Sequence, residues 1–234
     1  PRRSRVALER DDRASRSSET IAAFVFARPV PARGRAARER ERKRRARMRA
    51  GPSNETGSST KATEMTALAD AFRDTFAVEY VTAREVMDRR AREVGSRPMV
   101  LVDVRGEEER AVSVIEGAVS AETYESTRST LGPHDCVCYC TIGYRSGQYA
   151  EKMAKAAAGG TDDARYFNLY GSILAWTHAG GACVVPATGE RTTRVHTFGK
   201  QWSCVADGYE AVYFKRPLAK GFGQMVRGWF GRKK

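Results

Sequence analysis

Nowhere does the chain of 234 residues hold an apolar run long enough to cross a bilayer as a helix. Histidine is scarce, with three in all, and none stands at the spacing of a metal-ligand pair or beside a nucleophile. The five cysteines are odd in number and follow no repeating spacing, which excludes a secreted disulfide framework. Three of them, Cys136, Cys138 and Cys140, crowd one short segment, as expected of a reducing intracellular compartment where thiols serve packing or chemistry. A hydrophobic content of 41% suffices for the core of one ordinary domain.

The net charge of +13 is unevenly placed. Residues 1–50 carry a balance of +11 and residues 215–234 one of +7, whereas residues 51–214 sum to −5. The folded part is therefore mildly acidic, and a nucleic-acid argument would concern the tails alone, where the basic N-terminal run reads as an RNA-binding segment, a nuclear signal or part of a transit peptide. Residues 1–62, rich in Arg, Ser, Ala, Gly and Pro, are expected to be a disordered basic segment. Their Arg/Ser content fits a chloroplast or mitochondrial transit peptide, although Glu9, Asp11, Asp12 and Glu19 run against that composition. The chain opens on Pro1 rather than Met, so its natural start is expected upstream.

Order is expected from about Thr63. Leu68, Phe72 and Phe76 fall at helical spacing, predicting a helix over 64–76. Tyr80-Val81 reads as a short strand, and Thr82 with Glu85 as a capping box opening the next helix. The runs from Met99 to Val104 and from Cys136 to Tyr139 read as strands buried on both faces. Ala118-Val119 is a weaker strand, Ser146 to Ala158 a helix, and Tyr166 to Leu169 a strand followed by Gly171 and a helix through Trp176. Strands alternating with helices argue for a parallel α/β sheet. Arg194 to Phe214 reads as hairpin-like strands or an arm hugging the domain.

The chemistry concentrates where the strand ending at Tyr139 gives way to a helix. The loop Cys140-Thr141-Ile142-Gly143-Tyr144-Arg145 can curl with its backbone N–H groups inward, forming an anion-binding nest. The helix starting near Ser146 adds its positive end and Arg145 a full charge. Both favour thiolate over thiol at Cys140, and Gly143 supplies the backbone freedom for the curl. Cys140 is thus the candidate nucleophile, with Thr141, Ile142, Gly143, Tyr144, Arg145 and Ser146 as the substrate cradle.

Here the sequence resembles the rhodanese family. Asp103-Val104-Arg105 matches its Asp-Val-Arg element. Ile115-Glu116-Gly117-Ala118 resembles its Ile-Pro-Gly-Ala turn, with Glu116 in place of Pro. The stretch from Asn168-Leu169-Tyr170-Gly171-Ser172 to Ala175-Trp176 looks like its final Asn-Leu-x-Gly-Gly…Ala-Trp segment, with Ser172 for the second Gly. In this order the elements cover about residues 78–180. The resemblance implies a three-layer α/β fold with a five-stranded parallel sheet and helices on both faces, spanning residues 63–182 with the leading helix. It also implies sulfur transfer through a persulfide on Cys140, between a small-molecule or protein sulfur donor and a thiol acceptor. Related phosphatases and arsenate reductases have five residues between Cys and Arg; here there are four, which suits a sulfur atom better than a phosphoryl group. Thr141 stands where thiosulfate-using relatives often carry a basic residue, so thiosulfate is expected to be a poor donor.

Blander readings belong to the remaining residues. Cys136 and Cys138 share a face and are expected to pack; a Cys-x-Cys-x-Cys metal site is disfavoured because a strand spreads its ligands along a line. Neither metal nor cofactor is expected. Asp103 and Arg105 read as structural anchors, Trp176 as core, and His134, His178 and His196 as surface or loop residues. Residues 183–234 form a C-terminal extension ending in a basic amphipathic tail, with Phe222, Met225, Val226, Trp229 and Phe230 on one face. That tail reads as packed on the domain or, through 219–234, in weak contact with a membrane surface. A non-catalytic binding or regulatory module tethered by its basic tails is the alternative to an enzyme.

Overall fold

The structure, a computed structural model, describes residues 55–92, 97–158 and 163–215. The expectations for most of the N-terminal segment and for the tail 219–234 fall outside these residues.

Helix α1 spans Glu55–Arg73 and is followed by strand β1, Glu79–Val81, and helix α2, Ala83–Arg92. Then come β2 (Met99–Asp103), α3 (Glu107–Val112), β3 (Val114–Ile115), β4 (Val119–Ser120) and α4 (Ala121–Thr127). Strand β5 (His134–Tyr139) leads through the Cys140 loop to α5 (Tyr144–Ala157), and β6 (Ala164–Leu169) leads to α6 (Ser172–His178). Short strands β7 (Cys183–Val184), β8 (Arg191–Thr192), β9 (Arg194–His196) and β10 (Glu210–Val212) complete the described chain.

The main sheet has the order β1-β6-β5-β2-β4, and all its pairings are parallel. Strand β5 lies at the centre, buried at every position. Side chains alternate across a strand, so the sheet feeds two cores. Leu101, Val137, Tyr139, Phe167 and Leu169 face one, together with Val86 of α2 and Ile173, Leu174 and Trp176 of α6. Val100, Val102, Cys136, Cys138 and Tyr166 are buried apart from that cluster, as are Tyr124 of α4 and Ala150 and Met153 of α5. Helices thus cover both faces, which is why β2 and β5 read as unbroken apolar runs. Cys136 and Cys138 lie in the second core with their sulfurs 3.6 Å apart, in keeping with the packing role expected of them.

Several sequence readings need correction. Residues 55–62 are helical rather than disordered. Met65, Ala69 and Phe72 bury one stripe of α1, and once that stripe is packed, each added turn costs little. The helix stops at Arg73, leaving Phe76 in the turn that follows. Helix α5 begins at Tyr144, two residues before Ser146, because Gly143, at φ +116°, already turns the chain. His134 and His196 are buried rather than on the surface: His134 is the first residue of the central strand, where Tyr124 Oη and the Gly132 carbonyl engage its ring nitrogens, and His196 ends β9. His178, in the last turn of α6, is half-buried against the Cys204 carbonyl, 2.8 Å away. Residues 194–214 do not form a hairpin. Strands β9 and β10 pair in parallel, joined by a crossover through 197–209 whose Phe198, Trp202, Cys204 and Val205 enter the first core. The second reading, an arm hugging the domain, describes this segment.

The capping box at Thr82 forms as expected. Glu85 accepts from the Thr82 N–H at 2.8 Å, and the Glu85 N–H donates to Thr82 Oγ1 at 3.2 Å. Asp103 and Arg105 are the structural anchor they were read as. Arg105 Nε and Nη2 donate to Asp103 at 2.9 and 2.7 Å, and Nη2 also donates to the Ser113 carbonyl at 2.6 Å. Burial opposes the Arg105 charge, but Asp103 more than offsets it and raises the guanidinium above its ordinary value.

Candidate active site

The Cys140 loop sits at the carboxyl end of the central strand, where ligands bind in open α/β sheets. It is closed rather than splayed. The Gly143 N–H donates to Cys140 Sγ at 3.2 Å, and Gly147 N–H donates to the Gly143 carbonyl at 3.0 Å as α5 begins. Ser146 Oγ lies 3.5 Å from the sulfur and donates at 2.7 Å to Asn168 Oδ1. Asn168, in β6, also donates through Nδ2 to the Gly143 carbonyl at 2.9 Å, tying the loop to the neighbouring strand.

Ser172 completes this network. Its hydroxyl accepts the Cys140 N–H at 3.1 Å and lies 3.4 Å from Ser146 Oγ and 3.9 Å from Cys140 Sγ. Its φ of +49° is a conformation that residues bearing a side chain rarely adopt. The strain is borne where the hydroxyl meets Cys140.

Burial alone would push the Cys140 thiol up. The charge of Arg145, the hydrogen bonds from Ser146 and the Gly143 N–H outweigh it, so the thiol falls below the ordinary cysteine value of 9.0. Cys138 and Cys183, buried without such partners, are pushed the other way.

Arg145 is not the free guanidinium that the sequence suggested. It forms a two-pronged pair with Glu109 of α3, Nη1 to Oε2 at 2.6 Å and Nη2 to Oε1 at 2.7 Å. Nη2 also donates to Thr141 Oγ1 at 3.2 Å. Glu109 is buried, which raises its pKa, but Arg145 and Arg105 lower it further than burial raises it. Arg145 therefore acts on Cys140 through space, not as an open clamp on a donor. Among the predicted cradle residues, Gly143 and Ser146 reach the sulfur. Thr141 braces Arg145, Ile142 faces the first core, and Tyr144 packs edge-on against Phe72 and Phe76 at 5.3 and 5.4 Å. Glu109, Asn168 and Ser172 were not foreseen as members of the site. Their signals were faint: a glutamate on a helix after Asp-Val-Arg, a polar residue at a strand end, and a serine at a glycine position.

A groove of about 580 Å³ runs along α5 past Val104, Arg145, Gln148, Tyr149, Glu151, Lys152 and Lys155. Cys140 does not line it, and the residue is only 2% exposed.

Residues 86–179 match the family model described as Rhodanese-like domain. The chain carries a rhodanese-like domain. The match encloses the Cys140 loop with all its polar partners. No curated protein matches the chain. Among solved structures, a thiosulfate sulfurtransferase from Pseudomonas aeruginosa is similar at 14% identity and TM-score 0.39, over 56% of this chain and 25% of that one. The present chain thus spans a quarter of that protein's length. A rhodanese-like domain protein from Staphylococcus aureus is similar at 23% identity and TM-score 0.33, over 44% of this chain and 96% of that one. A Saccharomyces cerevisiae homologue of single-domain rhodanese and the Cdc25 phosphatase catalytic domain is similar at 15% identity and TM-score 0.35, over 43% and 80%.

Proposed function

We propose that the rhodanese-like domain carries sulfane sulfur as a persulfide on Cys140. The observation that carries this reading is a buried thiol met by the Gly143 N–H at 3.2 Å and Ser146 Oγ at 3.5 Å, with the charge of Arg145 nearby, an arrangement that lowers its pKa. A cysteine kept for packing gains nothing from such donors, whereas a nucleophile needs its thiolate.

The reaction is a double displacement. The Cys140 thiolate attacks the outer sulfur of a thiosulfonate or persulfide donor. A sulfur–sulfur bond forms on Cys140 as the donor's own bond to that sulfur breaks, releasing a sulfinate or thiolate with the bonding pair. An acceptor thiolate then attacks the outer sulfur, taking it as a persulfide and returning the pair to Cys140. No external oxidant or reductant enters. Glu109 already neutralises much of Arg145 and Thr141 adds no charge, so a strongly anionic donor such as thiosulfate finds little free cation. A persulfide donor suits the site better.

Incubation with a panel of donors followed by intact mass measurement tests the reading. A reducible adduct of about 32 Da, one sulfur atom, is expected on the native chain and absent from Cys140→Ser. Cys138→Ser should retain it. No adduct with any donor refutes the reading and favours a non-catalytic module.

A further inference from the structure

The family match ends at residue 179 and starts at 86, yet residues outside that span pack against the Cys140 loop. Ile142, near the middle of the loop, shares one apolar cluster with Phe72 of α1 and with Phe198, Trp202 and Val205 of the arm. From the N-terminal side, Phe72 and Phe76 hold the Tyr144 ring. From the C-terminal side, the Phe198 ring lies 5.1 Å from the Arg145 guanidinium. The two segments meet where Lys61 Nζ pairs with Asp207 Oδ1 at 2.9 Å, both side chains being exposed.

The arm carries a sign of tension. Phe198 has a φ of +65°, rarely adopted by aromatic residues, and is held there by its N–H donating to His196 Nδ1 at 3.1 Å and by its carbonyl accepting from Phe214 N–H at 3.1 Å. Beyond the apolar contacts, hydrogen bonds around α6 fasten the arm to the domain, among them the one between His178 Nε2 and the Cys204 carbonyl at 2.8 Å. Ala206 N–H donates to Thr177 Oγ1 at 3.0 Å and Tyr209 Oη to the Gly181 carbonyl at 2.7 Å. A strained contact residue is where a segment can open locally.

We infer that α1 and the 194–214 arm form a two-piece lid over Cys140, with Phe198 as its inner contact and Lys61–Asp207 as its outer latch. The lid must part before a donor or acceptor reaches the sulfur. It thereby sets specificity: a small thiol passes through a partial opening, whereas a protein-borne thiol requires the arm to swing clear. What passes rests on the sulfur-carrier reading; the covering of the thiol does not.

The test uses the full chain under native conditions, with iodoacetamide as the probe and peptide mass mapping of each cysteine over time. The wild-type Cys140 should alkylate more slowly than free glutathione, despite its favoured thiolate. Phe198→Ala should speed it roughly tenfold or more. Asp207→Lys, which turns the latch repulsive, should speed it about threefold, and adding Lys61→Asp should bring the rate back towards wild type. Cys136 and Cys138, inside the central strand, should stay unlabelled, which separates lid opening from global unfolding. If Phe198→Ala labels those two as well, the charge-reversal series alone decides. Wild-type labelling as fast as glutathione, or an unchanged Cys140 rate in the folded variants, overturns the lid. Failure of the sulfur reading looks different: faster labelling in the lid variants with no persulfide from any donor.

Discussion

The two ends of the central strand bury charge in opposite ways. At its amino end, Asp135 is buried and faces three arginines: Arg89 at 2.5 Å, Arg165 at 2.8 Å and Arg97 at 3.3 Å. Burial raises its pKa, and Arg165 and Arg89 lower it more. At the carboxyl end, Cys140 has no cation of its own. Arg145 is claimed by Glu109, so the sulfur is held by an N–H, a hydroxyl and a charge acting from beyond them. The first arrangement fixes a carboxylate by ion pairs and leaves nothing to react. The second leaves a thiolate favoured but unneutralised, which is what a nucleophile requires.

The largest effect should come from the structural end. Asp135→Ala removes the buried carboxylate that Arg89 and Arg165 share, while Arg97 keeps Asp163, and should cost about 3–5 kcal/mol, read as a lower urea midpoint. The pH midpoint of Cys140 alkylation should not move, and a shift would show the two ends to be coupled. Next in size, Arg145→Met removes the charge that favours the thiolate and leaves Glu109 buried without its ion-pair partner. The alkylation midpoint should rise and stability should fall by about 2–4 kcal/mol, seen in a thermal melt. An unchanged midpoint would show that the loop dipoles alone hold the sulfur.

Acid should act on both ends. Glu109 and Asp135 have folded pKa values below their unfolded ones of 4.5 and 3.8. Their stabilisation is complete above the unfolded values and disappears as pH falls through the lowered folded ones. Denaturant midpoints between pH 6 and pH 2 should decline mainly below pH 4.5, and Glu109→Gln should flatten that decline. Smaller again, Ser172→Gly releases the strain at φ +49° but removes the hydroxyl near Cys140. Stability should change by less than about 1 kcal/mol, the strain and the lost hydrogen bonds opposing one another, while the alkylation midpoint rises. Smallest of all, Glu210→Ala breaks the exposed Arg194 pair at 3.6 Å and should change stability by under about 0.5 kcal/mol.

What was legible in the sequence was local. Met99 to Asp103 and Cys136 to Tyr139 announced buried parallel strands because a sheet covered on both faces admits no polar alternation. The loop was legible because cysteine, glycine, arginine and helix start fit within seven residues. The partners of that loop were not. Glu109 meets Arg145 from 36 residues away, Ser172 meets Cys140 from 32, and Asn168 meets Ser146 from 22. No periodicity encodes such pairings. His134 and His196 misled for the same reason: a histidine shows its polarity in the sequence, but not the tyrosine, carbonyl or amide that satisfies it when buried.

By itself, then, the order of residues determined the strand and helix alternation, the parallel sheet and the candidate thiol, since each follows from burial pattern and spacing along the chain. Tertiary structure alone decided that Arg145 is already paired, that Ser172 sits against the sulfur and that residues before and after the family-matched stretch pack against the Cys140 loop. Those outcomes depend on which distant surfaces meet, and that is set when apolar stripes on α1, the sheet and the arm find one shared core.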